Sequence, residues 1–133
     1  MKARRTVAVG AAASRRYRLR ANEFLELTED ALARQKWNGA GTMAIHAGIS
    51  AADAVLAFAA NLRSREADHA AVLGLLETHV EGFDVPARRH LAGLLRSKNS
   101  VEYDDRVVTP TEAKQLVDHA RRFLAWAEKT IGA

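Results

Sequence analysis

The chain contains no cysteine, so disulfides, zinc–thiolate centres and thiol nucleophiles are excluded. Two prolines and eight glycines in 133 residues argue against a β-sandwich, a collagen repeat or a low-complexity chain. Aromatic residues make up 6% of the chain, and no run approaches the roughly 20 apolar residues of a membrane span. Residues 1–20 hold no acid. What is present is a chain 48% apolar, in which alanine alone supplies 27 positions. Its length bounds it to one domain with a modest core.

The formal net charge of +4 and the pI near 9.8 invite a nucleic-acid reading. The charge is unevenly spread. Lys2, Arg4, Arg5, Arg15, Arg16, Arg18 and Arg20 put seven basic groups in the first twenty residues, while the other 113 hold thirteen basic groups against sixteen acids. The expected organisation is a flexible basic arm over 1–13 and a mildly acidic domain over 14–133. Such an arm either binds phosphates without sequence preference or is a solvated terminus. The apolar stretch from Thr6 to Ala13 imitates a secretory h-region, but it is short, and Arg15-Arg16 follow at once. The expected location is cytoplasmic.

Periodicity predicts an all-α antiparallel up-and-down bundle of four to five helices. The first runs from about Ser14, a candidate N-cap, to Gln35, and Asn38-Gly39-Ala40-Gly41 reads as its stop. The second, about Thr42–Leu62, is alanine-rich, lets neighbours approach closely and is expected at the centre. A third covers roughly Glu66–His79. Asp84 and Pro86 start a fourth, which carries Leu91, Leu94 and Leu95 and fades near Tyr103. Thr109-Pro110-Thr111-Glu112 reads as a capping box opening the last helix.

On the fourth helix Ala92, Arg96, Asn99 and Tyr103 fall at i, i+4, i+7 and i+11, one face. Guanidinium, amide and phenol in a row suit an anionic, base-bearing ligand. The spacing also fits a plain surface stripe with Tyr103 covering a helix end. On the second helix His46, Ser50 and Asp53 share a face, and Asp53 sits among Ala51, Ala52, Ala54 and Val55. A carboxylate in such surroundings is costly unless paired, so Arg96 or Lys98 is its expected partner unless it faces solvent. The five histidines show no metal-binding spacing, and the single Glu66–His69 pair lacks the second copy a di-iron bundle needs. Gly39-Ala40-Gly41 lacks the rest of any phosphate loop. His119, Arg122 and Trp126 lie off the main stripe of the last helix, fitting either a dimer contact or ordinary packing.

The segment from Leu91 through Arg96-Ser97-Lys98-Asn99 to Tyr103, followed by Thr111-Glu112-Ala113 and Ala120-Arg121-Arg122-Phe123-Leu124, resembles the C-terminal half of a HEPN domain. Ile45-His46-Ala47 and Ala51-Ala52-Asp53-Ala54 are similar to the alanine-rich helix that packs on that half. The resemblance covers roughly residues 15–131 and is nearest the small stand-alone bacterial type. It implies a helical bundle, usually dimeric, a metal-independent ribonuclease or toxin, and a small nucleotidyltransferase as partner; separately, no cofactor, metal or membrane is expected. Active members carry an arginine, four to six residues, then a histidine. Here Arg96 is followed by Tyr103 where that histidine would stand; in the other register Lys98, Tyr103 and Asp105 replace arginine, tyrosine and histidine. Tyrosine, with a pKa near 10, is a poor base at neutral pH. The expectation is therefore RNA or nucleotide binding by Arg96, Lys98, Asn99 and Tyr103, with Asp53 and His46 alongside. Catalysis, if any, would fall to Arg96 and Tyr103. The alternatives are a ribonuclease toxin and a non-catalytic module that recruits a nucleotidyltransferase.

Overall fold

The computed structural model describes residues 6–64 and 69–132. Its helices are α1 (Ala12–Ala33), α2 (Trp37–Ala60), α3 (His69–His79), α4 (Val85–Glu102) and α5 (Pro110–Ile131). Two short strands, β1 (Thr6–Ala8) and β2 (Leu62–Ser64), pair antiparallel, with Thr6 opposite Ser64 and Ala8 opposite Leu62. The fold is the all-α bundle that the periodicity predicts.

Helix α2 touches every other helix. Its residues from Ala44 to Ala57 are buried except Ile49 and the two polar positions His46 and Asp53, which are half-covered. Small side chains make this possible. A Cβ on Gly48 would stand 2.5 Å from Leu94 Cδ1, and one on Gly41 would meet Leu116 Cδ1 at 3.3 Å. Leu94, Leu91, Leu95, Ile45, Phe123 and Leu56 fill the space around it and are fully buried. By length and composition α2 is apolar enough to cross a membrane, which corrects the expectation that no segment approaches a span, yet most of it lies inside the bundle. Helix α1 runs antiparallel to α2: Ser14 Oγ donates to the Ala54 carbonyl at 2.7 Å, and ten residues on Phe24 meets His46.

Three sequence expectations need correction. Helix α1 starts at Ala12, with Ala11 as an N-cap lacking a side-chain bond, so Ser14 is not the cap but a tie to α2. The break between α1 and α2 is at Arg34–Lys36, not at Asn38–Gly41. Gln35 takes the left-handed conformation (φ 59°), Lys36 N bonds Ala31 O and Gln35 N bonds Leu32 O, a Schellman ending without its usual glycine. The glycines instead lie inside α2 for close packing, and Asn38 Oδ1 accepts from Val108 N at 2.8 Å. Finally, Thr6–Ala8 of the expected flexible arm are paired with β2; residues 1–5 of that arm lie outside the described residues. The Glu66–His69 pair falls partly outside them too.

The starts of α4 and α5 are as read. Asp84 accepts from Ala87 N at 2.9 Å, and Thr109 Oγ1 accepts from Glu112 N at 3.1 Å. The Glu112 carboxylate turns to Arg106 (2.7 Å) rather than back to the cap, so the box closes on one side. Replacing Gly48 by alanine is expected to destabilise the protein by about 1–3 kcal/mol through overpacking against Leu94, read as a lower urea midpoint with an unchanged slope.

Candidate functional site

Asp84 and Pro86 fix the start of α4, and the buried row Leu91, Leu94 and Leu95 fixes its rotation. The opposite face is thereby turned to solvent: Arg96, Asn99 and Tyr103 are exposed, Tyr103 to 73%. Tyr103 terminates the helix through its own N–H, which bonds Asn99 O at 2.9 Å.

Lys98 belongs to another face and is 14% exposed. Its Nζ stands 5.3 Å from the centre of the Tyr103 ring, a cation–π contact, and 3.2 Å from Glu102 Oε2. The other Glu102 oxygen, Oε1, is 2.8 Å from His46 Nε2 of α2. That approach is close but poorly aligned, so the buried Oε1 has no well-directed donor. His46 in turn tilts against Phe24, ring centres 5.7 Å apart. A carboxylate that is 12% exposed is thus held between two basic side chains, and the lysine it anchors lies beside an exposed phenol. Of the residues expected at the site, the structure brings together His46, Lys98 and Tyr103, while Arg96 and Asn99 stand on the adjoining exposed strip. Glu102 was missed; its i, i+4 spacing to Lys98 was the one local signal.

Asp53 does not join them. The charges that bear on it are Arg63 of β2 and Arg20 of α1, not Arg96 or Lys98, which corrects the expected pairing. Two helical turns, about 10 Å of rise, separate it from His46. Burial raises its pKa to about 6, against the opposing pull of Arg63 and Arg20.

Arg96 bears instead on His119 of α5. His119 faces His90 of α4, with Nδ1 atoms 3.0 Å apart. Burial holds both imidazoles below the usual range. Arg89 and Arg122 push His90 the same way, and His90, Arg96 and Arg89 push His119. Trp126 stacks on Phe123, tilts against Phe83 and donates Nε1–H to Gly82 O at 2.9 Å. His119 and Trp126 therefore both make packing contacts within the chain. A separate cavity of about 440 Å³ lies between the start of α1 and Phe58, lined by Arg15, Arg16 and Ile131 among others, with no α4 residue in its wall.

Fold and site together define a helical bundle whose fourth helix presents a cation, an amide and a phenol on one exposed strip. A family model described as the HEPN domain matches residues 14–130, and the chain belongs to that family. No curated protein and no solved structure matches it significantly.

Because the folded state favours protonated Asp53, its ionisation costs stability as pH rises from the ordinary carboxylate pKa of 3.8 through about 6. Asp53→Asn is expected to stabilise the protein at pH 7.5 by up to about 3 kcal/mol. The gain should vanish below the ordinary carboxylate pKa, as read by denaturation at the two pH values.

Proposed function

We propose that this HEPN protein binds RNA or a nucleotide through the exposed strip of α4. The observation that carries the reading is the alignment of Arg96, Asn99 and the 73% exposed Tyr103, with Lys98 Nζ 5.3 Å from the Tyr103 ring. Arginine supplies a bidentate fork for phosphate, the amide a polar edge, and the phenol a stacking surface that the neighbouring ammonium helps to hold. The same proposal includes a homodimeric state and a place in a toxin–antitoxin or stress-response pair with a nucleotidyltransferase, which the family resemblance suggests, and a cytoplasmic location, which the short leader-like segment suggests. Titration of a fluorescent oligoribonucleotide and of a labelled nucleotide across salt tests it. Arg96→Ala is expected to weaken binding about tenfold and to lower the salt slope by about one. Tyr103→Ala should weaken it similarly and leave that slope unchanged. Absence of salt-dependent binding would overturn the reading and favour the protein-interaction module.

A second reading, a metal-independent ribonuclease, has one specific support. The imidazole missing from the end of α4 has a counterpart in His46, whose Nε2 lies 2.8 Å from the residue just before Tyr103. Cleavage without metal needs one group to take the 2′-hydroxyl proton and another to protonate the leaving oxygen, and a partly exposed histidine beside a buried carboxylate is a candidate for the first role. If this reading holds, labelled RNA is cut in the presence of chelator and His46→Ala lowers the rate at least a hundredfold. Cleavage untouched by that change would exclude His46 as the base.

A further inference from the structure

The start of α1, the last turn of α2 and the end of α5 meet around the cavity of about 440 Å³ that no α4 residue lines. Its size falls within the roughly 300–1,000 Å³ of sites that hold one small molecule. Local sequence makes the space. Ala11 and Ala12 stand one helical turn before Arg15 and Arg16, and their methyl groups leave open what longer side chains would fill. Ser14 Oγ is spent on the Ala54 carbonyl at 2.7 Å, which holds α1 against α2. Phe58, one residue past the buried run of α2, turns outward and is 49% exposed, and Ile131 adds to the wall from the last turn of α5.

The wall has two kinds of surface. Ala11, Ala12, Phe58 and Ile131 are apolar, and the charged groups are Arg15, Arg16 and Arg18. Arg18 spends its fork on Glu128, with Nε donating to Oε1 at 2.7 Å and the second arm donating to Oε2. Arg15 and Arg16 are exposed and form no ion pair or hydrogen bond with a described residue. No carboxylate or carboxamide side chain lines the cavity, whereas a neighbouring hollow that shares Arg16 has Glu23 in its wall.

These two surfaces select a ligand. Guanidinium groups donate and never accept, and their forks match the oxygens of a carboxylate or a phosphate. A nucleobase would bring amino groups that need acceptors, and the wall has no amide or acid to supply them. An alkyl or plain aromatic body needs no such partner, and it would take the exposed part of Phe58 out of water. We propose that this cavity binds a small amphiphilic anion, its oxyanion head on Arg15 and Arg16 and its apolar body against Phe58 and Ile131. Both halves are needed. An ion pair open to solvent is weak on its own, and the apolar contact supplies the rest of the affinity while excluding water from the pair. The site is separate from the α4 strip and does not require that strip to bind RNA.

Titration of the full chain with octanoate at neutral pH, followed through the ring signals of Phe58, tests the site. Octanoate is expected to bind at least roughly tenfold more tightly than acetate, which carries the head alone, or octanol, which carries the body alone. Arg15→Gln, Arg16→Gln and Phe58→Ala should each weaken it severalfold. Arg34→Gln, which removes an exposed charge at the other end of α1, should leave it unchanged. All four side chains lie at the surface, so the fold is expected to survive, as an unchanged helical circular-dichroism spectrum would verify. Octyl phosphate titrated beside octanoate identifies the preferred head, which is that of the tighter binder. Equal binding of octanoate and octanol, an equal loss in the Arg34 and Arg16 variants, or octanoate that leaves the Phe58 signals unmoved would overturn the proposal. No arm of the experiment uses RNA, so this idea and the reading of the α4 strip fail separately.

Discussion

The close approach of α4 to α2 at Gly48 is the constraint on which the rest of the structure depends. Leu94 occupies the space that any side chain at position 48 would need, and Leu91 lies beside it. Seating α4 there fixes its height and its rotation at once. Eight residues further along, Glu102 is carried to His46, two residues back along the antiparallel α2. The lysine and phenol of the candidate site are then placed by Glu102 and by the helix end. A small-residue helix at the centre is what lets α1, α4 and α5 all pack against one axis, where larger side chains would hold them apart.

The two carboxylates tied to α2 show opposite solutions to burial. Glu102 is desolvated but flanked by His46 and Lys98, so its charge is matched within 3.2 Å. Asp53 is surrounded by alanines, and Arg63 and Arg20 act on it without forming an ion pair within 4 Å, so burial prevails and raises its pKa. The first arrangement stabilises a geometry. The second leaves an unsettled charge in the wall of the bundle, a local cost to the fold.

Much of the fold was legible because its signals are local. The Asp84 and Thr109 caps, and the leucines of α4, rest on spacings of three or four residues. The α1–α2 break was not, because Gln35 takes the left-handed turn that sequence reading assigns to glycine, while Gly39 and Gly41 sit inside a helix. At the site, helical periodicity was enough to place Arg96, Asn99 and Tyr103 on one face. The partners of Asp53, the contact of His46 with Glu102, and the His90–His119 pair join residues 29 or more positions apart or on different elements, which no periodicity encodes. One trace of the histidine pair was visible: a glycine at position 93, in mid-helix, where close approach of another group is the usual reason for its presence.

Helix α4 is committed on three sides. Leu91, Leu94 and Leu95 face the core, Lys98 and Glu102 face α2, and Gly93 receives His119 of α5. Its free surface is the remaining strip, with Arg96 at the border between the phenol end and the histidine junction. A ligand on that strip meets groups carried by a helix whose position and rotation are already fixed, so little ordering of the backbone is needed on binding. Affinity there is then governed by the number of phosphate and base contacts rather than by reorganisation. Arg96, aligned with Tyr103, also bears on His119 of α5, so an anion held by Arg96 would be felt at that imidazole. Any such coupling is electrostatic, and salt would weaken it over the same range in which it weakens phosphate binding itself.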